Sequence, residues 1–151
     1  MSDVRPATSD VRSATPADLP AIRALARAAY APYVERLGFE PPPMVAEFET
    51  TLADTRVMGD PAFGYVVFRE REGDVYLENV AVDPARHGQG HGRRLVAFVE
   101  DAAREAGKPV MLHTNEAMRE NLAIYPRLGY REIDRRVENG LRRVFFRKDV
   151  A

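Results

Sequence analysis

Two short segments concentrate residues whose types and spacing could do chemistry. The first is Gly88-Gln89-Gly90-His91-Gly92, three glycines in five residues. It follows Val80-Ala81-Val82-Asp83-Pro84-Ala85-Arg86-His87 and leads into Arg93-Arg94-Leu95. An apolar run delivers the chain to a glycine turn, and a helical pattern begins at once. Glycine permits positive φ and close backbone approach, so successive amides can converge on one spot. The positive end of the helix dipole falls on the same spot, and an anion such as a diphosphate is the expected occupant. The second segment holds Asn121 and Tyr125, which at i and i+4 project from one helix face. Taken alone, Tyr125 reads better as a core aromatic beside Met118 and Leu122. Glu78 stands on the strand that feeds the loop. Strict alternation gives it the face of Tyr76, Val80 and Val82, where apolar neighbours would raise its pKa and poise it for proton traffic. The plainer reading is a strand-end glutamate paired with one of the twenty arginines. Asn79 beside it is placed to orient a relay water.

What is missing narrows the chemistry. The 151-residue chain has no cysteine, its serines are only Ser2, Ser9 and Ser13, and its lysines only Lys108 and Lys148. Disulfides, thiolate metal sites and a cysteine acyl-enzyme are thereby removed, as is a serine nucleophile embedded in the fold. Direct transfer between two bound substrates is the simpler mechanism. His87 and His91 straddle a glycine turn with no third ligand at metal spacing, so no metal site is expected. A formal net charge of −1 gives no basic field to attract nucleic acid or a membrane surface. No apolar run reaches the ~20 residues of a membrane helix, and the expected location is cytoplasmic.

The elements that must position these residues are legible from punctuation and period. One domain is expected over residues 10–151, behind a flexible leader at 1–9 that holds most of a tandem repeat, Ser2–Thr8 and Ser9–Thr15. Thr15-Pro16-Ala17-Asp18 opens a helix through Ile22, Leu25, Ala26, Ala29 and Tyr33, kinked at Pro32 and ended by Gly38. A second short helix is expected from Pro43 to about Leu52. Strands over 63–71 and 75–82 flank a turn at Glu72-Gly73-Asp74. A helix from about Gly90 to Ala106 buries Leu95, Val99, Ala102 and Ala106, and Gly107 stops it. A strand at 109–113, a helix at 117–128 and a hairpin turning at Glu138-Asn139-Gly140 complete a mixed α/β fold, a sheet covered by helices on both faces.

The glycine segment lacks the lysine of a Walker loop, and Arg93 stands where a dinucleotide fingerprint needs its last glycine. Its V-x-P-x-x-[R/Q]-G-x-G-x-G shape resembles the GNAT superfamily of acetyl-CoA-dependent N-acetyltransferases. Asn121 to Tyr125, closing on Gly129-Tyr130, resembles that family's other signature, and the likeness in element order runs from Val11 to Lys148. His87 departs from the pattern, standing where arginine or glutamine is usual. The resemblance implies a mostly antiparallel twisted sheet, acetyl-CoA as cosubstrate without a metal, and transfer of acetyl to a primary amine acceptor. It implies that Val80, Val82, His87, Gly88, Gln89, Gly90, His91, Gly92, Arg93 and Asn121 hold acetyl-CoA. Tyr125 is then the acid for the leaving thiolate and Glu78 the base. In such proteins the region of Tyr30, Tyr33 and Pro41 to Met44 walls the acceptor, and its apolar character points to a small or partly apolar amine. His113 and Asn115 follow the last central strand, where they either meet the acceptor or satisfy amides of the next helix. Partners are limited to acetyl-CoA and an amine; the assembly is open, a homodimer included. A non-catalytic acyl-CoA-binding module and a nucleotide-binding module of another fold are the competing readings.

Overall fold

The computed structural model describes residues 10–150. The expected leader at 1–9 and Ala151 lie outside the described residues. Seven strands form one sheet in the order β1-β2-β3-β4-β5-β7-β6. They are β1 Val11–Ser13, β2 Thr55–Gly59, β3 Ala62–Glu70, β4 Val75–Val82, β5 Val110–Asn115, β6 Arg131–Glu138 and β7 Leu141–Lys148. All neighbours run antiparallel except β4 and β5, which are parallel. The helices are α1 Leu19–Leu37, α2 His91–Ala106 and α3 Arg119–Arg127. Among the described residues no helix is long and apolar enough to cross a membrane.

Each sheet face buries its own core. Ile22, Leu25 and Ala26 of α1 pack with Phe48, Val57, Tyr65, Val67 and Ala81 on one side. Leu95, Val96, Val99 and Ala103 of α2 pack with Val66, Leu77, Val82, Leu112 and Phe146 on the other. The buried stripe of α2 thus runs through Val96 and Ala103 rather than Ala102 and Ala106. A 3-10 turn at Pro16–Asp18 precedes α1, which starts at Leu19 and continues through Pro32 to a left-handed Gly38.

The helix expected from Pro43 to Leu52 is absent. Two short 3-10 turns, Pro42–Val45 and Leu52–Asp54, stand in its place. The hydroxyl of Thr50 donates to the Glu47 carbonyl and that of Thr55 to the Thr51 carbonyl. Side chains that bond locally in this way compete with a helical ladder. The final hairpin forms as expected, with Asn139 at φ 52° and Gly140 at φ 78° in its two-residue turn.

Candidate active site

The loop after β4 is built to leave amides unpaired. Asp83 accepts from the Ala85 N–H and sets a short 3-10 turn, Pro84–Arg86. Gly88 and Gly90 then take φ of 82° and 81°, which side-chain-bearing residues rarely adopt. The first α2 amide to find a partner at this end is that of Arg94, bonded to the Gly90 carbonyl. The N–H groups of His91, Gly92 and Arg93 have no acceptor in the helix, as in the first turn of any α-helix. Together with the dipole they form a cradle for an anion. The His87 ring turns back to the Val82 carbonyl at 3.2 Å instead of reaching across the loop. His91 is committed to the Gln89 side chain at 3.0 Å and to the Arg94 guanidinium, and packs on the Phe63 ring. Burial, then Arg94 and Arg86, push its pKa down. Of this set Arg93 is exposed along the cleft and has no carboxylate partner among the described residues. No group of three or more potential metal ligands occurs among the described residues.

From this loop a cleft of about 820 Å³ runs between the strands. β4 and β5 pair only from Val75 to Leu77, opposite Val110 to Leu112. Across the sheet, Val67 pairs with Asn79 and Phe68 with Leu77, so Glu78 is the extra residue of a bulge. A bulge bends its strand, and here β4 turns away from β5 beyond it. Asp83 donates its N–H to Phe63 of β3. By alternation Ala81 shares that edge, whereas Val80 and Val82 turn their N–H and C=O groups toward the gap that β5 has left. Both valines expected to meet acetyl-CoA are therefore on the cleft edge.

The bulge also corrects the placement of Glu78. Beyond it the faces are reassigned: Val82 belongs to the α2 core and Ala81 to the α1 core. Glu78 therefore does not share a face with Val80 and Val82. It is exposed and ion-paired with Arg69 at 2.7 Å, so the apolar surroundings that were to tune it are absent. Glu78 nevertheless lines the cleft. Asn79 is not a free holder of water. Its buried Oδ1 accepts from the Tyr65 hydroxyl at 2.9 Å and lies 3.0 Å from that of Tyr30, and its Nδ2 donates to the Pro43 carbonyl at 3.1 Å. The Tyr30 hydroxyl is also 3.1 Å from the Val80 carbonyl and has one proton to share between the two acceptors. Four segments distant in sequence thus meet at the bulge.

On α3, Asn121 and Tyr125 both line the cleft. Asn121 donates to the Thr114 hydroxyl at 3.1 Å, tying the helix to β5. The Tyr125 ring is buried against Tyr130 and Phe146. Its hydroxyl has no hydrogen-bond partner among the described residues, and burial pushes its pKa up to about 12. It is a phenol kept protonated at neutral pH and held against the cleft.

The expected acceptor residues divide. Tyr33 stands at the mouth, its pKa raised by burial and by the nearby Glu120. Tyr30 is consumed by the bulge network. His113 lines the cleft but bonds Tyr76 through Nδ1, and burial with Arg143 pushes its pKa down to about 4. Asn115 lines the cleft as well, and its Oδ1 accepts from the Ala117 N–H at 2.8 Å in the turn ahead of α3. Sequence reading missed Arg36, whose guanidinium clamps both Glu120 oxygens at 3.1 Å across 84 residues of chain. Nothing local to either residue signals that pairing.

A loop of free amides, a strand edge opened by a bulge and a buried tyrosine thus lie along one cleft. The chain belongs to the acetyltransferase (GNAT) family, whose model matches residues 20–130. No curated protein matches it by sequence. Among solved structures it is similar to the ribosomal-protein-S18-alanine N-acetyltransferase from Escherichia coli, at 18% identity and a TM-score of 0.73 over 93% of each chain. Ard1 from Thermoplasma volcanium is similar at 14% identity and a TM-score of 0.72, over 93% of this chain and 97% of the other. Arabidopsis thaliana Naa50, in complex with the bisubstrate analogue CoA-Ac-MVNAL, is similar at 16% identity and a TM-score of 0.69, over 91% and 96% of the two chains. At these identities the likeness is one of fold.

Proposed function

We propose that the protein transfers acetyl from acetyl-CoA to a primary amine by direct attack within a ternary complex. The observation that carries this reading is the opened edge of β4, which lines one cleft together with the glycine loop and Tyr125. Loop and first-turn amides, with Arg93, hold the diphosphate; the N–H groups of Val80 and Val82 hold the thioester carbonyl and the pantetheine arm as a partner strand would. The complex of Naa50 with a CoA-linked analogue supports a ligand of this kind in a like fold.

The free amine attacks the acetyl carbon, a C–N bond forms and the C–S bond breaks. Tyr125 donates its proton to the departing thiolate and recovers one from solvent. Its place on the cleft without a competing hydrogen-bond partner suits it to this, since a raised pKa by itself makes a phenol a weaker acid. The amine's proton passes through water to Glu78. The exposure and ion pair of Glu78 fit a relay end open to solvent rather than a desolvated base. Asn121 keeps α3 seated on β5 so that Tyr125 stays in reach.

The test is thiol release on mixing the protein with acetyl-CoA and a panel of amines: phenethylamine, spermidine, lysine and peptides with free N-termini. Tyr125→Phe should lower kcat by about 100-fold or more while acetyl-CoA binding persists. Unchanged turnover removes Tyr125 from the mechanism. Acetyl-CoA binding without thiol release from any amine points to a non-catalytic module.

A further inference from the structure

Away from the glycine loop, the charged groups that line the cleft are already paired. Two carboxylates line it, Glu78 and Glu120. Each is already neutralised: Glu78 by Arg69 at 2.7 Å, and Glu120 by Arg36, which reaches both of its oxygens. Arg36 also donates to the Ala117 carbonyl, which fixes it in place between α1 and α3. The remaining lining cation away from the loop, Arg143, is bound to Glu138 at 3.1 Å. His113, with a pKa near 4, adds no charge at neutral pH. The walls between these pairs are apolar, with Tyr33, Pro42, Ile124 and Leu141 among them. Ile124 is 46% exposed, a large apolar side chain left at the rim.

A second ammonium group entering such a cleft would shed water and find no uncompensated carboxylate. An apolar body would gain by covering the walls. We propose that the acceptor is a primary amine on an apolar or aromatic body with no second cationic group, either a free monoamine or the N-terminus of an apolar peptide. This rests on the acetyl-transfer reading above.

The experiment is calorimetric. CoA is titrated into the protein, and the CoA-saturated protein is then titrated with phenethylamine, with a phenylalanine-initiated peptide amide and with spermidine. One of the two apolar amines should bind about tenfold or more tightly than spermidine, and which one it is identifies the source. Spermidine binding as well as either, or neither apolar amine binding, overturns the proposal. A protein that fails to bind CoA in the first titration overturns the acetyl-transfer reading and this inference with it. CoA binding followed by a preference for spermidine overturns the inference alone. Ile124→Asp then places an unpaired carboxylate on the exposed rim. Spermidine should gain up to about fivefold, the upper end of what an exposed ion pair supplies, and phenethylamine should lose affinity. An unchanged ratio of the two affinities places the acceptor elsewhere and also overturns it.

Discussion

Asn79→Leu is the substitution whose consequences the structure specifies best. Leucine conserves approximate volume but accepts and donates nothing. The Tyr65 hydroxyl, on a fully buried side chain, has Asn79 as its hydrogen-bond partner among the described residues and is stranded. An unsatisfied buried hydroxyl costs about 1–3 kcal/mol. Tyr30 keeps the Val80 carbonyl, so its loss is small. The Pro43 carbonyl loses its donor, which adds about 1 kcal/mol. The sum is about 2–4 kcal/mol, or a fall in melting temperature of roughly 5–15 °C for a chain of this size. Urea unfolding of the single variants and of the pair with Tyr65→Phe measures it. Tyr65→Phe in the Asn79→Leu background removes the stranded hydroxyl and should recover about 1–2 kcal/mol. Asn79→Leu within about 0.5 kcal/mol of wild type, or strictly additive variants, would refute the network as drawn.

Three further outcomes follow from the same geometry. Gly90→Ala, at a φ of 81°, should weaken acetyl-CoA binding about tenfold, because a strained left-handed residue shifts the cradle amides; calorimetry at neutral pH reads it. His113 has a folded pKa near 4 against 6.5 when unfolded, so the unfolded chain binds more protons between these values. Stability should therefore fall as pH drops from about 6.5 to 4, by about 1–3 kcal/mol after allowance for partial exposure, and His113→Gln should flatten that window in urea titrations. Glu78→Gln should lower kcat by less than the ~100-fold typical of a positioned base, since its proton route is open to solvent; a larger loss measured by thiol release assigns it a direct role.

Element order was largely legible because local signals carried it. Gly38 and Gly107 end helices through the left-handed conformation, and Asn139-Gly140 closes a hairpin by the same backbone preference. The segment after Pro43 departs from the expected helix because threonines there bond to nearby carbonyls in place of a helical ladder. Asn121 and Tyr125 were readable since their relation is a helix repeat. The partners of Asn79 were not, because Tyr30, Pro43 and Tyr65 lie on other elements.

By itself the sequence determined that a glycine turn meets a helix start after a strand, and that a tyrosine stands one helical turn beyond an asparagine. Those are relations within a few residues, set by φ preference and by period. Only the tertiary structure decided where β4 parts from β5, because one extra residue opposite β3 is a property of a pair of strands. That single register shift reassigned Glu78 from the face of Val80 and Val82 to an exposed ion pair. It also left the valine amides as an open edge facing the cleft.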